Sequence, residues 1–395
     1  MHIHTLTIQN FQSIREPVTV SLVLNKNAPD DHRAWITADG TRLTKTLAVL
    51  GANGSGKTTV IKSLAFLYWF MAHSFQLPHD APIPVIAHFC TPQEPTTLEL
   101  EFSLDDKRYR YRVSLTAERV YQESLYARHQ RGFAYLFTRV WNTDTEQYDI
   151  KQQQFGLTPK EAAKVRPNAS LISTAAQFDV ALAQQLTQLH LSANVDVMGR
   201  QGVDHSRLFG VASVYAQDEA LRQRMANTLA AWDLGLSDVR IEKRQINQAD
   251  GRSEEVFVPL GIHRVQGQEF PLLMLNESSG TQGAFVLLSH ILPVLATGGV
   301  ALLDEMEADL HPHMLTPILD LFFSPRTNPH GAQLIFTSHS IEVLGQLHKG
   351  QVLLVEKDAE CNSQAWRLDS MQGVRADDNL YAKYMAGAYG AVPQL

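Results

Sequence analysis

Four short runs of residues have the types and spacing that phosphate chemistry needs. The first, GANGSGKT at 51–58, fits G-x-x-x-x-G-K-[ST] and stands between an apolar run at 45–50 and a stretch of helical period. Glycines let backbone N–H groups curl around phosphates, and a helix N-terminus adds a partial positive charge. Asn53, Gly54, Ser55, Gly56 and Thr59 would form or flank the cradle, Lys57 would reach the β- and γ-phosphates, and Thr58 would coordinate Mg²⁺. The second run, VALLDE at 300–305, is an apolar strand ending in two carboxylates. Asp304 would hold magnesium through water, and Glu305 would polarise an attacking water. The third is Ser278, Ser279, Gly280, Thr281 and Gln282, whose hydroxyls and N–H groups at a helix start make a second phosphate cradle. The fourth, FTSHS at 336–340, ends an apolar strand with His339, which could bond a γ-phosphate or the water. Taken alone, the third run reads as a helix cap and the histidine as a structural residue.

The elements that must position these groups are legible from period. Residues 2–8 and 17–24 alternate as strands, 45–50 is a short apolar strand, and 58–72 has the helical spacing of Ile61, Leu64, Ala65, Tyr68 and Met71. Five prolines between Leu77 and Pro95 break any regular element. Strands at 97–104, 108–115, 118–128, 133–142 and 148–153 are most economically one antiparallel sheet. Residues 161–194 and 199–234 are helical in period, which predicts an α-helical insertion before strands at 238–243 and 254–264. The last third alternates: helix at 280–295, strand at 300–304, helix after Pro312, strand at 333–337, helix at 340–347, then strands at 351–356 and 364–368. That is α/β wiring. The expected segments are 1–75 and 251–395 as two parts of one core, 76–160 as a β-rich segment and 161–250 as the helical insertion.

Composition sets outer bounds. Hydrophobic content of 44% with 19% charged residues is that of a globular chain. A net charge of -7 and a pI near 6.1 leave no global positive field to draw it to nucleic acid or anionic lipid, so any DNA contact must be local. Cys90 and Cys361 match no metal spacing and suggest a reducing compartment, with the cytoplasm as the default. The start, MHIHTLTIQNF, lacks signal-peptide features, and the longest apolar stretches are too short to predict a membrane span.

The order and spacing of the four runs resemble those of ABC-type ATPase heads of the SMC, RecF and OLD families. Asn10, Phe11 and Ser13 resemble the "NF-x-S" start of these heads. Leu310-His311-Pro312 resembles the "LHP" of OLD-like and AAA_15-type proteins, and residues 384–393, YMAGAYGAVP, resemble the ending of RloA/AbiLi-type ATPases. The resemblance implies an ABC/SMC-like P-loop α/β head with an antiparallel β subdomain and a helical insertion, binding ATP and Mg²⁺. It makes Ser278, Ser279, Gly280 and Gln282 signature residues, Asp309 part of the D-loop region, and His339 the switch histidine. It also implies a Q-loop glutamine that helps hold the metal, for which Gln177 is the candidate, with Gln184, Gln185 and Gln188 close by. In such heads each ATP is gripped by two subunits, so an ATP-dependent homodimer or higher oligomer is expected. RloA/AbiLi-type ATPases belong to phage-defence loci and commonly work with a separate RloB-like protein of TOPRIM-like nuclease fold. With 56 residues after His339, too few for a TOPRIM domain, the nuclease or toxin effector is expected to act in trans.

Two further features are weaker. Lys107, Arg108, Arg110 and Arg112 alternate with Tyr109 and Tyr111, a basic strand face for DNA or an acidic partner, or simply a solvated sheet face. His311 and His313 suggest a metal pair or, with the LHP resemblance, part of the nucleotide site's surroundings. The functions to be separated are an ATPase subunit of a defence module, a RecF- or SMC-like DNA repair ATPase, and a nucleotide-binding scaffold without turnover.

Overall fold

The computed structural model describes residues 1–247, 253–308 and 310–392. The expected boundary at 250/251, Asp309 and the last residue of the tail motif, Pro393, lie outside the described residues. The chain begins with β1 (His2–Gln9) and β2 (Val18–Ser21), then a small ribbon of β3 (Ala34–Ile36) and β4 (Arg42–Thr44). β5 (Thr46–Leu50) is buried at every residue and runs into the glycine-rich turn and α1 (Lys57–His73). After the proline-rich crossing come β6 (Thr96–Leu104), β7 (Lys107–Leu115), β8 (Val120–His129), β9 (Gly132–Asn142) and β10 (Gln147–Gln152), a meander whose alternation of apolar and polar residues gives one buried face. β6 also pairs with β1, making an antiparallel sheet of seven strands in the order β10-β9-β8-β7-β6-β1-β2.

Where helices were expected over 161–194, the chain forms three short ones, α2 (Pro159–Ala162), α3 (Leu171–Ala176) and α4 (Ala181–Thr187), followed by β11 (Leu191–Ala193). Pro167 disfavours helix at the residue before it, Ser170 caps α3, and Asp179, at a φ of 59°, turns the chain out of it. The second expected helix is split into α5 (His205–Gln217) and α6 (Glu219–Ala231), because Asp218 adopts an extended backbone and caps α6 with its carboxylate. β12 (Asp238–Asn247), β13 (Ser253–Val265) and β14 (Gln268–Leu273) form a three-stranded antiparallel sheet, so the stretch read as a helical insertion also contributes strands to two sheets.

The remainder is α7 (Ser279–Thr297), β15 (Val300–Leu303), α8 (Leu315–Phe323), β16 (Gln333–Thr337), β17 (Val352–Lys357), β18 (Ser363–Arg367) and α9 (Leu380–Met385). The helix expected at 340–347 is a 3₁₀ turn, Ile341–Gly345. Six strands make the core sheet, in the order β11-β15-β16-β5-β17-β18, with only β18 antiparallel to its neighbour. Period-2 alternation divides the core: Leu47, Val49, Leu302 and Ile335 face α1 and the antiparallel sheet, whereas Ala48, Leu50, Leu303 and Phe336 face α5, α6, α7 and α8. α1 is apolar nearly all round because it lies between two sheets. Each fully buried Leu or Phe in these layers contributes about 1.5–3 kcal/mol. α7 reaches the length and apolarity of a membrane-crossing helix, which no apolar run in the sequence predicted, but 67% of that stretch is buried as a core helix.

One polar knot ties the antiparallel sheet to the loop before α3. Glu123 and Arg139 are fully buried and paired at 3.4 Å. Tyr111 and Ser170 hydroxyls and the Leu171 N–H donate to Glu123, while Arg139 donates to the carbonyls of Ala169 and Arg166 and stacks on Tyr148.

Candidate nucleotide site

Three of the four runs converge at the C-terminal edge of the core sheet, because the parallel strands β5, β15 and β16 end side by side there. Val49 is in register with Thr337, and Leu303 with Phe336. This is the edge where parallel α/β sheets bind ligands. The cleft holds about 530 Å³ and is lined by Gln12, Ser13, residues 53–59, Glu305, Thr337, His339 and Lys357.

The glycine-rich turn is built by close approach. A Cβ on Gly51 would lie 2.1 Å from the Val355 carbonyl oxygen, and one on Gly56 would lie 2.2 Å from Ser363 Oγ. Ser363 Oγ bonds Ser13 Oγ and donates to the Ser55 carbonyl, and Ser13 Oγ lies 3.0 Å from Thr59 Oγ1. The turn is therefore bolted to the Asn10–Arg15 loop. Asn10, buried within that loop, donates to the carbonyls of Thr91 and Glu94 and accepts from the His88 N–H, anchoring the proline-rich crossing.

At the start of α1 no side chain caps the first turn and no acid occupies it, so its N–H groups are open to an anion. Lys57 is buried, and desolvation holds its ammonium below its ordinary pKa; Nζ donates to the carbonyls of Gly51 and Ala52 at 2.9 and 3.0 Å. Thr58 Oγ1 donates to both Asp304 oxygens, at 3.0 and 3.1 Å. Thr337 Oγ1 donates to Asp304 Oδ1 and accepts from the Glu305 N–H, locking the two strand ends together. These residues fit a magnesium–phosphate group: uncapped amides, a cation on the floor, and a hydroxyl beside a carboxylate suited to a hard cation.

Glu305 has a φ of 49°, a left-handed conformation uncommon outside glycine and held here by its bond to Thr337. Its Oε1 faces His339 Nε2 at 3.5 Å and its Oε2 faces Arg200 Nε at 3.3 Å. Glu307 accepts from the His339 and Ser340 N–H groups through Oε1, while its buried Oε2 has no partner among the described residues.

The second cradle lies elsewhere. Ser278 caps α7 by accepting from the Thr281 N–H, Ser279 and Gly280 open the helix, and Gln282 donates to the carbonyls of Leu275 and Glu277. None of these residues lines the cleft.

Gln177 is a correction. It is an exposed residue at the C-terminal end of α3, outside the cleft lining, because that helix packs on α1 and α4 rather than ending at the core sheet edge. The amide that meets the Asp304 strand end is Asn194, directly after β11: it donates to the Asp304 carbonyl at 2.9 Å and accepts from the Asp304 N–H at 2.7 Å. A three-residue strand has too little period to announce itself, so Asn194 and Arg200 carried no signal in the sequence. Lys357, Gln12 and Ser363 were missed for a related reason, since only tertiary contact brings them to the turn.

The basic strand face is largely neutralised. Arg108 and Arg110 pair with Glu101 at 2.8 and 2.5 Å, Arg112 with Glu99 at 3.7 Å, and Arg108 also with Asp39 at 3.4 Å. His311 and His313 stack edge-on, and no three-residue metal cluster exists among the described residues.

A glycine-rich turn, a lysine on its floor and an acidic strand end define a P-loop nucleotide-binding site in an α/β protein. Residues 47–345 match the family AAA_21, described as AAA domain, putative AbiEii toxin, Type IV TA system, and the chain belongs to that family. No curated protein sequence matches it. Similar solved structures include an Smc head bound to the C-terminal winged-helix domain of ScpA, at 11% identity over 94% of this chain and 99% of that one, with a TM-score of 0.45. The SMC head domain from Thermotoga maritima is 12% identical over 93% of this chain and 99% of that one, with a TM-score of 0.42. An Smc head with an extended coiled coil, in complex with ScpA derived from Pyrococcus furiosus, is 10% identical over 93% and 97%, with a TM-score of 0.46.

Proposed function

We propose that this chain is a Mg²⁺-dependent ATPase that works as a nucleotide-switched homodimer in the cytoplasm. The observation that carries the proposal is the division of the site: one cleft gathers the glycine-rich turn, Glu305 and His339, with Asp304 bonded to Thr58 beneath it, while the exposed cradle at Ser278 and Ser279 stands apart from it. Two copies facing each other would bring the second cradle of one to the phosphates held by the other. Within a subunit, the α1 amides and Lys57 bind phosphate, Thr58 and Asp304 hold the metal, Glu305 takes a proton from water, and His339 orients the phosphate side of the cleft. Bound Mg²⁺ supplies charge neutralisation for the phosphates.

Glu305→Gln tests this reading. Turnover falls about 100-fold, the share of a positioned general base, and ATP shifts the variant to a dimer on size-exclusion chromatography. Ser279→Arg should bind ATP and stay monomeric. Parental turnover in Glu305→Gln, or an ATP dimer in Ser279→Arg, sinks the proposal.

The wider role we propose is that of an ATPase subunit of an anti-phage module controlling a separate effector, a nuclease of the TOPRIM/RloB-like kind or another toxin. Its support is the family description, a putative toxin of a type IV toxin–antitoxin system, together with the RloA/AbiLi-like tail motif. In cells carrying the native locus, Lys57→Ala should abolish any reduction in phage plaques. DNA-stimulated turnover that drops steeply with salt would instead favour the repair reading.

A further inference from the structure

Both oxygens of the Glu305 carboxylate are engaged: Oε1 faces His339 and Oε2 is paired with Arg200. A carboxylate has about four lone-pair sites, so these contacts do not exhaust its capacity; they set the direction its oxygens face, and a guanidinium keeps its charge and so its hold. Arg200 is delivered by a hairpin that continues from β11. At its base Asn194 is bonded to the backbone of Asp304 on both sides. Val195 pairs with Arg200, Gln201 N–H donates to the Asn194 carbonyl, and Asp196 closes the turn by accepting from the Met198 and Gly199 N–H groups. Its tip, Met198, is 87% exposed and its carbonyl accepts from the Lys62 ammonium of α1 at 3.4 Å, while Val195 is buried and Val197 packs against the core that includes α1. The hairpin also borders α7 beside Gly283, Val286 and Leu287, the helix that opens with Ser279.

We infer that Arg200 restrains Glu305 in the uncombined subunit, and that Arg200 must swing away before the carboxylate can turn to the water it activates. The inference deepens the ATPase reading and rests on it. Arg200 acts through Glu305, so it is a positioning residue. The hairpin is fixed to Asp304 through Asn194 and to the core through Val195, whereas Arg200 is exposed, so its side chain can swing aside without disturbing the Asp304 strand end. β11, from which the hairpin continues, packs on α7, so a shift of the helix that carries the second cradle would be felt at the hairpin's base.

The test is steady-state ATP turnover of the full chain with Arg200→Ala, Arg200→Lys, Glu305→Gln and the double variant Arg200→Ala/Glu305→Gln. Arg200→Ala should raise kcat about two- to fivefold, the scale of a half-exposed ion pair, with KM for ATP unchanged. Arg200→Lys, which keeps a charge but loses the fork, should fall between the parent and Arg200→Ala, and the double variant should be as slow as Glu305→Gln. A kcat in Arg200→Ala equal to or below the parent's overturns the restraint, as does a gain that survives in the double variant. If the parent and Glu305→Gln turn over alike, the ATPase reading itself has failed and the inference falls with it; if they differ and Arg200→Ala gains nothing, only the restraint is lost.

Discussion

Glu123 with Arg139 and Glu305 with Arg200 are pairs of the same chemistry at nearly the same separation, 3.4 and 3.3 Å, in opposite circumstances. The first pair is wholly buried and bonded to Tyr111, Ser170, Leu171 and two backbone carbonyls, which leaves Arg139 Nε as its one buried donor without a partner among the described residues. In the second, the side chains are 42% and 32% exposed, Glu305 has a strained backbone, and a neighbouring carboxylate oxygen of Glu307 has no partner among the described residues. A buried pair with many hydrogen bonds holds the antiparallel sheet to α3. A half-exposed pair beside unsatisfied groups is held in a geometry that a ligand or a second subunit can rearrange.

The largest effect should come from breaking the buried pair. Glu123→Ala strands Arg139 in the interior and should cost about 3–5 kcal/mol in chemical denaturation; a loss under about 1 kcal/mol would erase the contrast between the two regions. Another buried polar group should show the interior's sensitivity to pH. Burial, aided by the Arg207 charge, lowers the His290 pKa from 6.5 to about 4. Unfolded chains then bind a proton that the folded chain refuses, so stability falls as pH drops from about 6.5 to about 4 and is unaffected by this group above that window. The contribution is on the order of 3 kcal/mol at most, and His290→Gln should flatten that part of the denaturation midpoint's pH profile. In the cleft, Lys57→Ala should weaken ATP binding about 10- to 100-fold, the worth of a charged hydrogen bond, with an unchanged denaturation midpoint; equilibrium nucleotide titration checks it. The smallest change belongs to Arg200→Ala, which should alter stability by less than about 1 kcal/mol. A loss comparable to that of Glu123→Ala would mark Arg200 as a structural residue.

Local rules were sufficient for much of the architecture. The strand at 45–50, the glycine turn and the helix after it were readable because each depends on neighbours in sequence, and the meander from β6 to β10 followed from alternation and short turns. The helical period at 161–194 misled for an equally local reason: Ala, Leu and Gln favour helix, while Pro167, Ser170 and Asp179 cut it into pieces and the fold needed β11 at the sheet edge.

By itself the sequence singled out the residues proposed to hold phosphate and metal, since Gly51, Lys57, Thr58, Asp304 and Glu305 lie in two contiguous runs whose local spacing sets their geometry. Tertiary structure alone decided what surrounds them. Asn194 in place of Gln177, Arg200 on Glu305, Ser363 behind the glycine turn and the carboxylates facing Arg108 and Arg110 are all meetings of residues distant along the chain. Such meetings depend on strand order and on the packing of whole layers, and no short stretch of sequence contains that information.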